Sequence, residues 1–199
     1  MVETSGHDLR VSRRALLTGA LAILVEEKGA GATAHVNLEY IGGYLYWPGS
    51  KTRAAVGAAG VSSTKTEGDK ATPAGTFPLP FGMYRPDRIK LTDSSLPMTP
   101  LRQAHAWVDD PNDPKYNQLV ELPYAAHAEE MWRADGIYDL LVVVGCNINP
   151  TRPGAGSAIF LHIARPHFTP TEGCIAIERG VLLDLVTLLG PESTLIIRE

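Results

Sequence analysis

Ala158-Ile159-Phe160-Leu161-His162-Ile163-Ala164-Arg165-Pro166-His167-Phe168-Thr169-Pro170-Thr171-Glu172-Gly173-Cys174-Ile175-Ala176-Ile177 holds two short apolar runs separated by a loop rich in Pro and Thr. Apolar runs this short, bounded by turn residues, read as strands, here over 158–163 and 174–177. A loop of this length lets the chain return beside itself, so the two ends of the segment can lie close together. His162 closes the first strand and Cys174 opens the second.

Outward from this segment the pattern repeats. Leu140-Leu141-Val142-Val143-Val144 is continuously apolar, as expected of a strand buried on both faces, and Thr194–Ile197 reads as a last strand. Two stretches read as helix. In 180–189, Leu182, Leu185, Val186 and Leu189 share one face before Gly190-Pro191 ends the run. The other is 125–133. Between Arg85 and Tyr116 the chain is rich in Pro and Asp without a sustained period, and reads as an elaborated loop over a scaffold. The expected class is mainly β with one or two covering helices.

The chemistry sits where the two strands meet. A free thiol is mostly protonated at neutral pH, and an adjacent imidazole can take its proton and leave a better nucleophile. Gly173, lacking a side chain, lets an acyl group approach the backbone, where amides at the turn can hold a developing oxyanion. Thr171 can lend a hydroxyl to the same network. Other readings remain open on the residues alone. A strand-end cysteine is often a small buried hydrophobe. His162, His167 and Cys174 could serve as three zinc ligands, although their spacing matches no zinc signature. Cys146, at the end of the 140–144 strand, is a rival nucleophile or a wall of the same pocket. A bridge between Cys146 and Cys174 is conceivable, but two cysteines are too few for a disulfide scaffold. His35, His105 and His127 lack any partner pattern and read as structural or surface residues.

A formal net charge of −4 without a basic block disfavours nucleic acid as a partner, since phosphate neutralisation needs a concentrated cationic face. Near the N-terminus, Arg13-Arg14 precede an apolar run from Ala15 to Val25. That run is shorter than the roughly 20 residues needed to span a bilayer and suits the apolar region of an export signal. Ala32-Thr33-Ala34 offers a small-x-small cleavage site, and the arginine pair resembles a Tat leader. The expected division is an export signal over 1–34 and a catalytic domain over 35–199. The mature part would carry no integral membrane span and would work in the periplasm or cell wall. An N-terminal helix docked on the domain is the alternative, favoured by Glu26-Glu27-Lys28.

The segment His162…Thr171-Glu172-Gly173-Cys174-Ile175 resembles the catalytic motif of the L,D-transpeptidase (YkuD-type) family, in which a His precedes a Ser/Thr-x-Gly-Cys turn. Asp69-Lys70-Ala71-Thr72-Pro73-Ala74-Gly75-Thr76-Phe77 resembles the same family's upstream D-x-x-T-P-x-G-x-F segment. Arg85, Trp107-Val108-Asp109-Asp110 and Trp132-Arg133 look like a branch with an enlarged loop. The sequence departs from the familiar pattern in a shorter His-to-Cys gap, in Glu172 where a His is common, and in Ala176 where an Arg usually follows. The resemblance implies a YkuD-type β-sandwich, Cys174 as acyl-accepting nucleophile, His162 as its base, and Gly173 and Thr171 in the oxyanion turn. It implies peptidoglycan stem peptides as donors, cut between the L-centre of a diamino acid and a terminal D-residue, with an acceptor amine forming a cross-link. No cofactor or metal is implied. Hydrolysis of the same peptides, or a wall-binding module with a decayed site, would be compatible with the same residues.

Overall fold

The computed structural model describes residues 36–199 apart from Thr92, so the export-signal reading of 1–34 and the reading of His35 lie outside the described residues. Three hairpin-connected strands come first: β1 (Leu38–Ile41), β2 (Tyr44–Trp47) and β3 (Ser50–Ala55). A short parallel pair, β4 (Val61–Ser62) and β5 (Thr72–Pro73), precedes β6 (Gly75–Pro78), β7 (Gly82–Tyr84) and β8 (Met98–Pro100). Next come β9 (His105–Val108), β10 (Leu119–Glu121) and β11 (Ala128–Glu130), which form a three-stranded sheet of their own. The chain ends with β12 (Leu140–Val143), β13 (Phe160–Ile163), β14 (Ile175–Ile177), helix α1 (Arg179–Val186) and β15 (Thr194–Ile197).

Ten strands form the main sheet, in the order β6-β15-β1-β2-β3-β14-β13-β12-β7-β8. Its centre is explained by side-chain alternation. Leu140, Val142 and Val144 point into one apolar cluster, which also holds Leu161, Ile163, Ile175, Ile177 and the helix residues Leu182, Leu185 and Val186. Leu141, Val143, Phe160 and Cys174 point into a second cluster with Met83, Trp107 and Met131. The unbroken apolar run of β12 is therefore buried on both faces, as its composition requires. Helix α1 covers the first face. Glu178 caps the helix by accepting hydrogen bonds from the Gly180 and Val181 N–H groups at 2.9 and 3.0 Å.

Two expectations need correction. Residues 125–133 do not form a helix: Ala128–Glu130 pair with β9 as an edge strand, aligning Ala128 with Val108 and Glu130 with Ala106. Local helix preference there yields to the unpaired edge of β9. The stretch from Arg85 to Tyr116 is not one long loop either, because it supplies β8 and the fully buried β9. Four residues of β9 give too short a run for a period to show. The arginine noted in sequence, Arg85, anchors this region: its guanidinium lies 3.5 Å from the centre of the Trp132 ring and donates to the Arg133 carbonyl at 3.0 Å.

Candidate active site

Strands β13 and β14 run parallel, with Leu161 opposite Ile175 and His162 opposite Ala176. Side chains alternate across a strand, so Phe160, His162, Cys174 and Ala176 share the face turned away from α1. Cys174 then stands one pleat diagonally from His162, a Cα separation of about 8 Å from strand spacing and rise, within reach of an imidazole and a thiol. Both side chains line one cleft of about 280 Å³.

Local bonds hold each group in place. The thiol donates to the Ala158 carbonyl at 3.1 Å, and the sulfur accepts from the Phe160 N–H at 3.3 Å. His162 Nδ1 lies 2.9 Å from the Ile163 carbonyl. A carbonyl can only accept, so Nδ1 carries the proton and the Nε2 lone pair is left free. Tyr138 stands edge-on to the imidazole at 5.3 Å between centroids and edge-on to Phe160 at 5.6 Å, fixing the ring from the side. The Tyr138 hydroxyl donates to Glu129 at 2.9 Å.

The turn before Cys174 is built by two threonines. The Thr171 hydroxyl donates to the Cys174 carbonyl at 2.6 Å and accepts from the Gly173 N–H at 3.2 Å. Thr171 and Gly173 thus spend these groups on each other and on the turn that presents Cys174. The neighbouring Cys174 N–H has no acceptor among the described residues. Gly173 adopts φ +140°, and a Cβ there would come within 3.1 Å of the Ala71 carbonyl, so the position excludes larger residues. Thr72, from the upstream Asp69–Phe77 segment, donates to the Gly173 carbonyl at 2.8 Å and accepts from the Gly57 N–H at 2.9 Å. The two motifs, distant in sequence, are joined by this one buried hydroxyl. Thr72→Val keeps the volume and strips both bonds, leaving a buried amide unpaired. It is expected to cost about 1–3 kcal/mol, read as a lower urea midpoint with slower Cys174 modification; an unchanged midpoint would show that the hydroxyl contributes nothing.

Burial sets the electrostatics. Desolvation pushes the Cys174 thiol up to about 12, helped by the nearby Glu129 charge and opposed by the Phe160 N–H. Desolvation pulls His162 down to about 4, opposed by its bond to the Ile163 carbonyl. Burial therefore favours the neutral form of both thiol and imidazole.

Around this pair the cleft is rimmed by charges of both signs. Arg133 and Arg165 both bind Asp135, at 2.8 and 3.1 Å. Their attraction holds the Asp135 carboxyl down at about 2, the Arg133 hydrogen bond contributing most. Lys65 pairs with Asp69, and Glu67 takes hydrogen bonds from Tyr116 and Ser157. Glu172 is exposed and pairs with Lys70 at 3.1 Å. Ala176, opposite His162, is fully buried.

The other sequence candidates fall elsewhere. His167 sits in an exposed 3-10 turn and does not line the cleft. Among the described residues no group of three or more His, Cys, Asp or Glu side chains could hold a metal ion. Cys146 belongs to the cluster on the helix side of the sheet, and both cysteines are free thiols. His105 is buried beside Arg102, whereas His127 pairs with Asp109 at the surface. Sequence reading missed Tyr138, Glu129 and Arg165 at this cleft, and noted Arg133 only as part of an enlarged loop. Their approach depends on the three-stranded sheet and the segment that leads from it to β12, neither of which has a marked pattern.

A mainly β domain with a cysteine and a histidine on one face of parallel strands defines a class of thiol-bearing sandwich domains. The family model of the L,D-transpeptidase catalytic domain, YkuD, matches residues 35–197, and the chain belongs to that family. Comparison with curated proteins and with solved structures returned no match.

Proposed function

We propose that this protein is an exported L,D-transpeptidase that cross-links peptidoglycan stem peptides through a thioester on Cys174. The observation that carries the reading is the shared cleft, in which Cys174 and His162 lie on one face of adjacent parallel strands. The Cys174 sulfur attacks the carbonyl between the L-centre of a diamino acid and the terminal D-residue as its proton passes to His162 Nε2. The imidazolium then returns that proton to the departing amine, and the C–N bond breaks to leave a thioester. An amine from a second stem peptide attacks the thioester and gives its proton to His162; the C–S bond breaks as the new amide forms, and the imidazolium returns that proton to the departing sulfur. The free Cys174 N–H suits the developing oxyanion, with Gly173 and Thr171 as the frame that aims it. Arg133 and Arg165 at the rim suit carboxylates of the stem peptide in place of the arginine absent at position 176. The family acts on the cell wall, and the arginine-led segment over 1–34 is the proposed route of export.

Purified protein incubated with stem peptides should give cross-linked dimers by mass spectrometry. Shortened monomers alone would replace transfer with hydrolysis. Absence of any covalent adduct at Cys174 after exposure to a carbapenem would remove the acyl-enzyme altogether.

A further inference from the structure

The contacts that hold the sulfur are themselves held from outside the main sheet. Ala158, whose carbonyl accepts the thiol, has φ +52°, a left-handed conformation that costs an L-residue with a Cβ on the order of 1 kcal/mol or more. Its own N–H donates at 3.0 Å to the side-chain oxygen of Asn117. That oxygen also accepts from the Trp107 indole N–H at 2.9 Å. The Asn117 amide nitrogen donates to the Cys146 and Asn147 carbonyls, at 3.1 and 2.8 Å. Two acceptor and two donor positions are thus all filled, which is the full capacity of an asparagine side chain. Asn117 itself is buried, with φ +59°, and its backbone N–H is fixed to the Val108 carbonyl at 2.9 Å.

The geometry points to Asn117 as a positioning residue for the Cys174 thiol, linking the three-stranded sheet to the bend at Ala158. This inference rests on Cys174 being the nucleophile. Asn117 touches neither the sulfur nor the cleft. It fixes Ala158, and the bend there aims two groups of one strand entry at the sulfur: the Ala158 carbonyl and the Phe160 N–H, the latter a donor that favours the thiolate. Releasing Ala158 from its bend would move both groups away. The thiolate would then lose a hydrogen-bond donor, and the pH profile of its reactivity would shift upward.

The test is the rate of Cys174 alkylation by iodoacetamide against pH, resolved from Cys146 by peptide mass spectrometry. Wild type, Asn117→Ala and Trp107→Phe are compared, each with its folded fraction measured by near-UV circular dichroism. Trp107→Phe keeps an aromatic ring, smaller than the indole, at the edge-on contact with Phe160 and deletes one hydrogen bond of the hub. Asn117→Ala should move the profile upward and slow modification about tenfold at a given pH below the thiol pKa, since the thiolate fraction falls tenfold per unit. Trp107→Phe should move it in the same direction by less, and it serves alone if Asn117→Ala does not fold. Unshifted profiles in the folded variants, or a rate loss that merely follows the unfolded fraction, would overturn the positioning role. A wild-type Cys174 that takes no adduct even from a carbapenem would instead overturn the proposed function.

Discussion

Cys174→Ala is expected to abolish acyl-enzyme formation and lower kcat by roughly 10⁴–10⁶-fold, the range seen when a catalytic nucleophile is deleted. The fold should survive, because the thiol fills little volume and its loss removes only weak sulfur hydrogen bonds such as those to the Ala158 carbonyl and from the Phe160 N–H. Cys146→Ala is the control. That residue faces the helix-side cluster, so its loss should leave a small cavity and near-normal turnover. Intact-protein mass spectrometry after carbapenem treatment separates the two outcomes. An adduct retained in Cys174→Ala and missing from Cys146→Ala would transfer the nucleophile's role to the other cysteine.

His162→Gln carries the second large effect, a loss of about 10²–10⁴-fold in the acylation rate, as for removal of a general base. The glutamine amide can still donate toward the Ile163 carbonyl but offers no basic lone pair. Wild-type rates in this variant would exclude His162 as the base. The pH dependence gives an independent reading. A neutral thiol–imidazole pair persists between about 4 and about 12, so the acylation rate of the free enzyme should be flat from pH 5 to 9 and fall as pH drops through about 4. Stability follows the same group. The folded state holds His162 below its ordinary 6.5, so between these values the unfolded chain binds more protons. The stabilisation is present above pH 6.5 and lost as pH falls toward 4, on the order of 3 kcal/mol in all. His162→Gln lacks that slope. Urea unfolding of both proteins at pH 7 and pH 4.5 should show wild type losing stability relative to the variant.

What could be read from the chain alone depended on how much of each signal is local. The run Leu140–Val144 declared a strand buried on both faces because each residue reports its own environment. Phe160–Ile163, the turn and Ile175–Ile177 were equally legible, since Gly173 and the flanking apolar residues constrain one another over a short distance. The two motifs suggested a shared site, yet the hydroxyl that joins them, Thr72 to Gly173, is a tertiary contact with no local mark. The stretch 125–133 misled because Ala, Glu and Met favour helix, while the edge of β9 rewards a strand that only long-range pairing reveals. The neutral state of His162 and Cys174 was not readable either. It follows from burial under Tyr138, Phe160 and the three-stranded sheet, and burial belongs to the fold rather than to any short segment.

The sheet also keeps the two sulfurs apart, Cys174 within the layer beneath the accessory strands and Cys146 within the layer beneath the helix. Both rest protonated, since desolvation raises Cys146 to about 11 as well. Oxidants react with thiolates, so each sulfur is a poor target while the cleft is empty. Burial in separate layers thus disfavours both direct oxidation of the two thiols and a bridge between them.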